Sequence, residues 1–290
     1  MNNNIFPCLW FDSNGKEAAD FYCELFGGTI SADTPVVLNI ELFGQKLMFL
    51  NGGPQFEKNA SVSFTILCET EEELQKYWTQ LSKNGNVLTE LSEDTRSKRY
   101  GWVRDQFGVT WQLNFSGNQD DQKIIPTLMF VHQNNGKAKQ AREFYTSIFP
   151  NSSIGGVLNH NTGGGNQNAE VGGNLQRADF KIDHYSMICM ENSHEYQFNF
   201  NEGISMVVMT DDQKETDHLW NSLIQNGGKP SMCGWLKDQF GLSWQIVPKR
   251  LLELMNDFEQ PDKAQNVVIA MLSMEKIIIA DLEEAYNSPL

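Results

Sequence analysis

Gly101-Trp102-Val103-Arg104-Asp105-Gln106-Phe107-Gly108-Val109-Thr110-Trp111-Gln112-Leu113 recurs later in the chain as Gly234-Trp235-Leu236-Lys237-Asp238-Gln239-Phe240-Gly241-Leu242-Ser243-Trp244-Gln245-Ile246. The differences only exchange Val for Leu, Arg for Lys, Thr for Ser and Leu for Ile. A match of this kind inside one chain marks an internal duplication. Each copy reads as strand, turn, strand: Asp and Gly supply the turn, and aromatic and β-branched residues follow it. In the strand after the turn, Trp111, Leu113 and Phe115 share one face, while Thr110, Gln112 and Asn114 share the other. The first face suits a core. The second is polar without charge and suits the lining of a wet cavity.

Working outward, each copy ends a longer repeated plan. Residues 5–11 form an apolar run that stops at Asp12-Ser13-Asn14-Gly15, a buried strand and a turn. Ala18, Phe21, Tyr22, Leu25 and Phe26 then fall on one helical face, which Gly27-Gly28 terminates. Strands are expected at 29–32, 36–42 and 46–50, before the loop Asn51-Gly52-Gly53-Pro54. The plan restarts at 61–67, with Val62, Phe64 and Ile66 facing inward and Ser61, Ser63 and Thr65 opposite. Thr70 through Glu73 form a capping box, with Leu74, Tyr77, Trp78 and Leu81 as the buried stripe of its helix. A strand near Val87-Leu88 and a charged loop at 93–99 lead into the first signature.

Residues 116–123 have linker composition and place a boundary between domains 1–118 and 119–290. The second half repeats the order. A strand at 124–131 precedes the stripe Ala141, Phe144, Tyr145, Ile148 and Phe149, and Phe144-Tyr145 matches Phe21-Tyr22. Residues 158–174 are rich in Gly and Asn and read as a flexible insertion; no strand leads directly into Gly163-Gly164-Gly165 and no helix start follows it, against a phosphate cradle. A hairpin lies within 183–190, and the alternating strand returns at 204–209. A second capping box, Asp212 to Glu215, opens the helix of Leu219, Trp220 and Leu223. Beyond the second signature a helical tail has no counterpart in the first half. It holds a helix around 251–258, another opened by Pro261, and a short last one capped by Asp281. The tail is expected to cover a domain or build a homo-oligomer contact.

At 290 residues the chain accommodates two domains, each with its own core. A net charge of −15 argues against nucleic acid and anionic membranes as partners. No apolar run approaches a membrane span, and the N-terminus lacks the pattern of a signal peptide. The five cysteines are scattered without a Cys-x-x-Cys pair, as in a cytoplasmic protein with reduced thiols.

Leu9-Trp10-Phe11, Phe21-Tyr22, Asn51-Gly52-Gly53-Pro54, the two signatures and Ala270-Met271-Leu272, taken in order, resemble the glyoxalase/bleomycin-resistance/extradiol-dioxygenase superfamily, the vicinal oxygen chelate proteins. Within it they look like the PhnB-like branch, often labelled 3-demethylubiquinone-9 3-methyltransferase. The resemblance implies an α+β fold of tandem glyoxalase-like domains, built from paired βαβββ units whose curved sheets form cups over a ligand. Those units pair within a domain or between domains. Metal enzymes of this superfamily hold a divalent ion with His and Glu on the cup strands. At the matching positions this chain has Gln112 and Gln245 in place of Glu, and Ser61 and Gly203 in place of His. Asn51 and Glu191 stand at the ends of the fourth strands.

A neutral amide is a poor replacement for a carboxylate at Zn, Ni or Fe, so no cofactor is expected. If a divalent metal ion is held, Glu191 and His184 are the fallback ligands. His132, His160, His184, His194 and His218 lack His-x-x-x-His spacing and read as solvated or helix-face histidines rather than a metal cluster. Asp105 and Asp238, being turn residues, read as local hydrogen-bond acceptors rather than general bases. The ligand-binding candidates are Trp10, Ser61, Ser63, Trp102, Gln112, Trp235 and Gln245, with Trp111 and Trp244 assigned to the core. Three function classes follow: a non-metal small-molecule-binding protein, a metal-dependent enzyme of glyoxalase or dioxygenase type, and a methyltransferase. The last finds no glycine-rich S-adenosylmethionine turn in the sequence.

Overall fold

The computed structural model describes residues 4–93, 99–115, 122–159 and 175–288. Most of the linker 116–123, of the charged loop 93–99 and of the insertion 158–174, with His160, lies outside the described residues. The chain divides into two compact units, Pro7–Ile204 and Ser205–Leu290, the latter taking in Asn4–Phe6.

The larger unit contains three βαβββ modules. The first runs through β1 (Ile5–Phe11), α1 (Gly15–Phe26), β2 (Thr29–Asp33), β3 (Val37–Leu42) and β4 (Gln45–Asn51). Its strands lie in the order β1-β4-β3-β2, with β1 and β4 parallel. Ala18, Tyr22, Leu25 and Phe26 bury the predicted stripe of α1, while Phe21 is half-buried. The helix ends where Gly27 takes up a left-handed φ of 77° and donates its N–H to the Cys23 carbonyl.

The second module comprises β5 (Val62–Cys68), α2 (Glu71–Ser82), β6 (Asn86–Ser92), β7 (Arg99–Arg104) and β8 (Thr110–Phe115). The third comprises β9 (Ile124–Phe130), α3 (Ala138–Ile148), β10 (Ser153–Asn159), β11 (Leu175–Ile182) and β12 (Tyr185–Glu191). These two modules share one eight-stranded mixed sheet, ordered β10-β11-β12-β9-β5-β8-β7-β6. The seam is the antiparallel β5–β9 pair, in which Ser63 stands opposite Thr127 and the Thr65 and Thr127 hydroxyls meet at 2.7 Å. The repeat seen in the sequence relates the first module to the third, yet the sheet joins the second to the third.

The smaller unit holds the fourth module, β13 (Ile204–Thr210), α4 (Gln213–Leu223), β14 (Lys229–Pro230), β15 (Trp235–Lys237) and β16 (Ser243–Pro248), in the row β14-β15-β16-β13. Three helices follow: α5 (Lys249–Met255), α6 (Pro261–Leu272) and α7 (Ile279–Asn287). They pack on one another through Leu251, Leu254, Val267, Ile277 and Leu282.

Both predicted capping boxes form. Thr70 Oγ1 accepts the Glu73 N–H at 3.1 Å, and Asp212 Oδ1 accepts that of Glu215 at 2.8 Å. In each, the returning glutamate reaches one residue further than the motif requires, to the N–H of Glu69 or Asp211. Two local readings need correction. Residues 158–159 belong to β10, which pairs with β11 rather than opening a loop; its glycines hid it, and the partner strand supplied the ladder. Asp281 lies inside the first turn of α7, whose N-cap is Ile278, so it serves the helix dipole instead of capping. Among the described residues no helix is long and apolar enough to cross a membrane.

Candidate functional site

The two signatures share the hydrogen bonds that close their turns and hold their second tryptophan. In the first, Asp105 Oδ1 accepts the N–H groups of Phe107 at 2.9 Å and Val109 at 3.0 Å, closing the turn at Gly108, φ 79°. Its Oδ2 accepts Trp111 Nε1 at 2.8 Å and the Tyr22 hydroxyl of α1 at 2.5 Å. In the second, Asp238 accepts from Phe240 at 2.8 Å, Leu242 at 3.1 Å and Trp244 Nε1 at 2.8 Å. Both aspartates are therefore buried turn acceptors, as their position in the sequence suggested. Burial pushes the Asp105 carboxyl above its ordinary range, against the pull of its donors, and pushes the Tyr22 phenol well above its own.

Locking the tryptophan to the aspartate fixes the pleat, so the next residue must point to the opposite face. Trp111 and Trp244 are fully buried. On the opposite face Gln112 donates through Nε2 to Ser63 Oγ at 2.8 Å, and Gln245 donates to Ser205 Oγ at 2.9 Å. Gln112 Oε1 accepts the Tyr100 hydroxyl at 3.1 Å, and its Nε2 also lies 3.4 Å from the Met190 sulfur. Trp102 stands directly across β7–β8 from Gln112, as Trp235 does from Gln245 across β15–β16.

In the larger unit the structure thus brings together three candidates, Ser63, Trp102 and Gln112. It surrounds them with side chains that had not been singled out. Ala60, Tyr100, Trp102, Met129 and Val131 form a buried cluster, flanked by Met190, Tyr196 and Phe198. Met190 also joins Leu67, Ile125 and Ile188 in a neighbouring cluster. None of these described residues is charged. Tyr100 could have been found from its place two residues before Trp102 on the same strand. An alternation of aromatic and polar residues from Tyr196 to Phe200 could have pointed to Tyr196 and Phe198. Those residues line an open groove of ≈ 510 Å³ with His132, Glu195, Gln197 and Asn199.

Of the other candidates, Ser61 adjoins this cluster through Ala60 and Met129, and the rest are placed elsewhere. Ser61 is buried and gives its carbonyl to Met129 N–H at 2.8 Å. Trp10, on β1, donates Nε1 to the Gly53 carbonyl at 2.7 Å and packs edge-on against Phe56. A Cβ on Gly52 would fall 2.1 Å from the Trp10 ring, so the Asn51-Gly52-Gly53-Pro54 loop is glycine-rich to fit the indole. Trp235 and Gln245 lie in the smaller unit.

The two fourth-strand ends behave alike. Glu191 accepts the N–H of Ala138, the first residue of α3, at 2.8 Å, and that of Leu175 at 3.4 Å. Asn51 Oδ1 accepts the N–H of Gly15, the first residue of α1, at 3.0 Å. Both satisfy helix N-termini. His184 sits in the turn before β12 and Glu191 at its far end, so seven strand residues, about 20 Å, separate the fallback ligands. Among the described residues no group of three or more His, Cys, Asp or Glu is placed to hold a metal ion.

Comparison with known proteins bears on the fold and the family. Glyoxalase I from Zea mays superposes over 84% of this chain and 91% of its own, at a TM-score of 0.56 and 12% identity, which shows the fold. A putative 3-demethylubiquinone-9 3-methyltransferase, PhnB protein, from Bacillus cereus is 29% identical, covering 38% of this chain and 96% of its own at a TM-score of 0.36. A glyoxalase-related enzyme from Fulvimarina pelagi is 18% identical over 40% of this chain and 94% of its own, at a TM-score of 0.33. No curated protein matches. Residues 3–114 and 122–247 each match the 3-demethylubiquinone-9 3-methyltransferase family, and on that double match the chain belongs to this family, in two tandem copies.

Proposed function

We propose that the chain binds a small, largely apolar molecule against the sheet face of β5, β7, β8, β9 and β12, without a catalytic transition metal. The observation that carries this reading is the state of Gln112. Its amide is committed to Ser63, Tyr100 and Met190, in a setting of aromatic and aliphatic side chains. Catalytic metal sites generally need three side-chain ligands and an open position. Here the equivalent donors are a saturated amide, hydroxyls and a thioether, which do not fit zinc, nickel or iron. A neutral surface of this kind can orient a ligand by hydrogen bonds but has no group suited to ionise water. The methyltransferase in the family description gains no support from the described residues, which show no strand opening through a glycine-rich turn into a helix. Elemental analysis of protein purified without added metal is expected to find well below one ion per chain, and chelator to leave the unfolding midpoint in place. Near-stoichiometric zinc, nickel or iron, whose removal lowers that midpoint, would overturn the reading.

A further inference from the structure

The same face carries an unmet donor and a segment lying over it. Trp102 is 8% exposed, and its indole Nε1 is buried with no hydrogen-bond partner among the described residues. A buried donor left unpaired costs free energy that an acceptor would recover. Against the cluster that contains this indole rest Tyr196 and Phe198, their rings stacked on each other at 4.8 Å.

Those two rings belong to residues 192–201, which form neither helix nor strand. The segment is pinned at its ends. Asn192 N–H donates to the Phe130 carbonyl at 3.2 Å, and the Asn199 carbonyl accepts Asn59 Nδ2 at 3.1 Å. Between the pins, the hydrogen bonds are local: the Tyr196 hydroxyl accepts Asn192 Nδ2, Tyr196 N–H donates to the His194 carbonyl, and His194 N–H donates to Asn192 Oδ1. Among the described residues, 193–198 make no hydrogen bond outside 192–198. Among the described residues, lifting the middle of this strap off the sheet therefore breaks apolar contacts and at most the Asn192–Tyr196 hydrogen bond.

We propose that Tyr196 and Phe198 occupy the seat of the ligand, and that the molecule displacing them is a neutral aromatic bearing a hydrogen-bond acceptor for the Trp102 indole N–H; this rests on the binding function proposed above. Aromaticity follows from the two rings being replaced and from the Tyr100 and Trp102 rings beneath. Neutrality follows because, among the described residues, no lysine or arginine lines the groove, Glu195 stands at it, and the net charge is −15. The acceptor follows from the orphaned donor, since a hydrogen bond replaces none that the protein already makes.

The test uses three probes of similar size on the full chain: coumarin, which carries a neutral carbonyl; naphthalene, which has no acceptor; and coumarin-3-carboxylate, an anion. Binding is read by quenching of tryptophan fluorescence. In wild type, coumarin is expected to bind more tightly than either other probe. The Tyr196→Ala/Phe198→Ala double variant, whose changes fall on half-buried side chains, should tighten coumarin and naphthalene together by about ten-fold, as removal of a competing occupant requires. Trp102→Phe keeps an aromatic ring and removes the N–H. It should weaken coumarin about five- to ten-fold more than it weakens naphthalene, the effect of one lost hydrogen bond, because the lost ring area is common to both probes. Saturable binding that neither variant alters overturns the strap and the donor while leaving a binding site in place. Tightest binding of the anion overturns the ligand class. No saturable binding of any probe to wild type or the double variant overturns the binding function itself.

Discussion

Gln112 donates through Nε2 to Ser63 Oγ at 2.8 Å, tying the strand that ends the first signature to the strand that opens its module. The same amide accepts the buried Tyr100 hydroxyl. Gln112→Leu removes both and strands two buried hydroxyls, so a loss of about 1–3 kcal/mol is expected. Gln112→Glu keeps acceptors for both hydroxyls but buries a carboxylate, whose pKa burial would raise. The folded state would then bind the proton more readily than the unfolded one, so the variant should lose stability as pH rises through the acidic range. Urea denaturation at several pH values reads both effects. A Gln112→Glu variant as stable as wild type at neutral pH would show that this face is wetter than its burial suggests.

Trp111→Phe should cost about 1–3 kcal/mol, because Asp105 loses one of its donors while staying buried. Trp244→Phe should act in the same range through Asp238. Chemical denaturation of the two variants checks the pairing of the signatures. If either change falls within about 0.5 kcal/mol of wild type, the ordinary level for surface substitutions, that aspartate is not organising its turn.

Glu191→Ala and Asn51→Ala should each destabilise the chain by about 1–2 kcal/mol, the range of a lost helix cap, because Ala138 and Gly15 lose the acceptors of their N–H groups. Neither should change metal content. A Glu191→Ala protein of unchanged stability but altered metal content would assign Glu191 to an ion instead.

Lys58 is 8% exposed, with its ammonium donating to the Trp10 carbonyl and lying 3.8 Å from the centre of the Phe11 ring. Burial pulls its pKa down from 10.5 to about 8, with Asp105 opposing that shift in part. In the unfolded chain the amine holds its proton to its ordinary pKa. Between about 8 and 10.5 the unfolded state therefore binds more protons, and stability contributed at this site rises with pH. Measured against Lys58→Met, wild type should gain on the order of 2 kcal/mol across that window. A flat difference over the same range would place the ammonium in water.

The sequence alone determined what depends on local pattern and on repetition. The strand-turn-strand signatures, the stripe of Ala18, Tyr22, Leu25 and Phe26, the Thr70 and Asp212 caps, and the assignment of Trp111 to the core and Gln112 to the other face all follow from periods of 2 and 3.6 residues and from capping chemistry. Tertiary structure decided which modules share a sheet. A repeat fixes what each module is but not its edge partner, and only the β5–β9 pairing brings Thr127, Met129 and Met190 beside Ser63 and Gln112. It also gave Glu191 to the start of α3 and, among the described residues, left the Trp102 indole without an acceptor. Hydrogen-bond supply at a buried atom is set by neighbours distant in sequence. The strap of Tyr196 and Phe198 alternates aromatic and polar residues as a strand would, yet it forms no strand, so only its packing on the sheet shows its place.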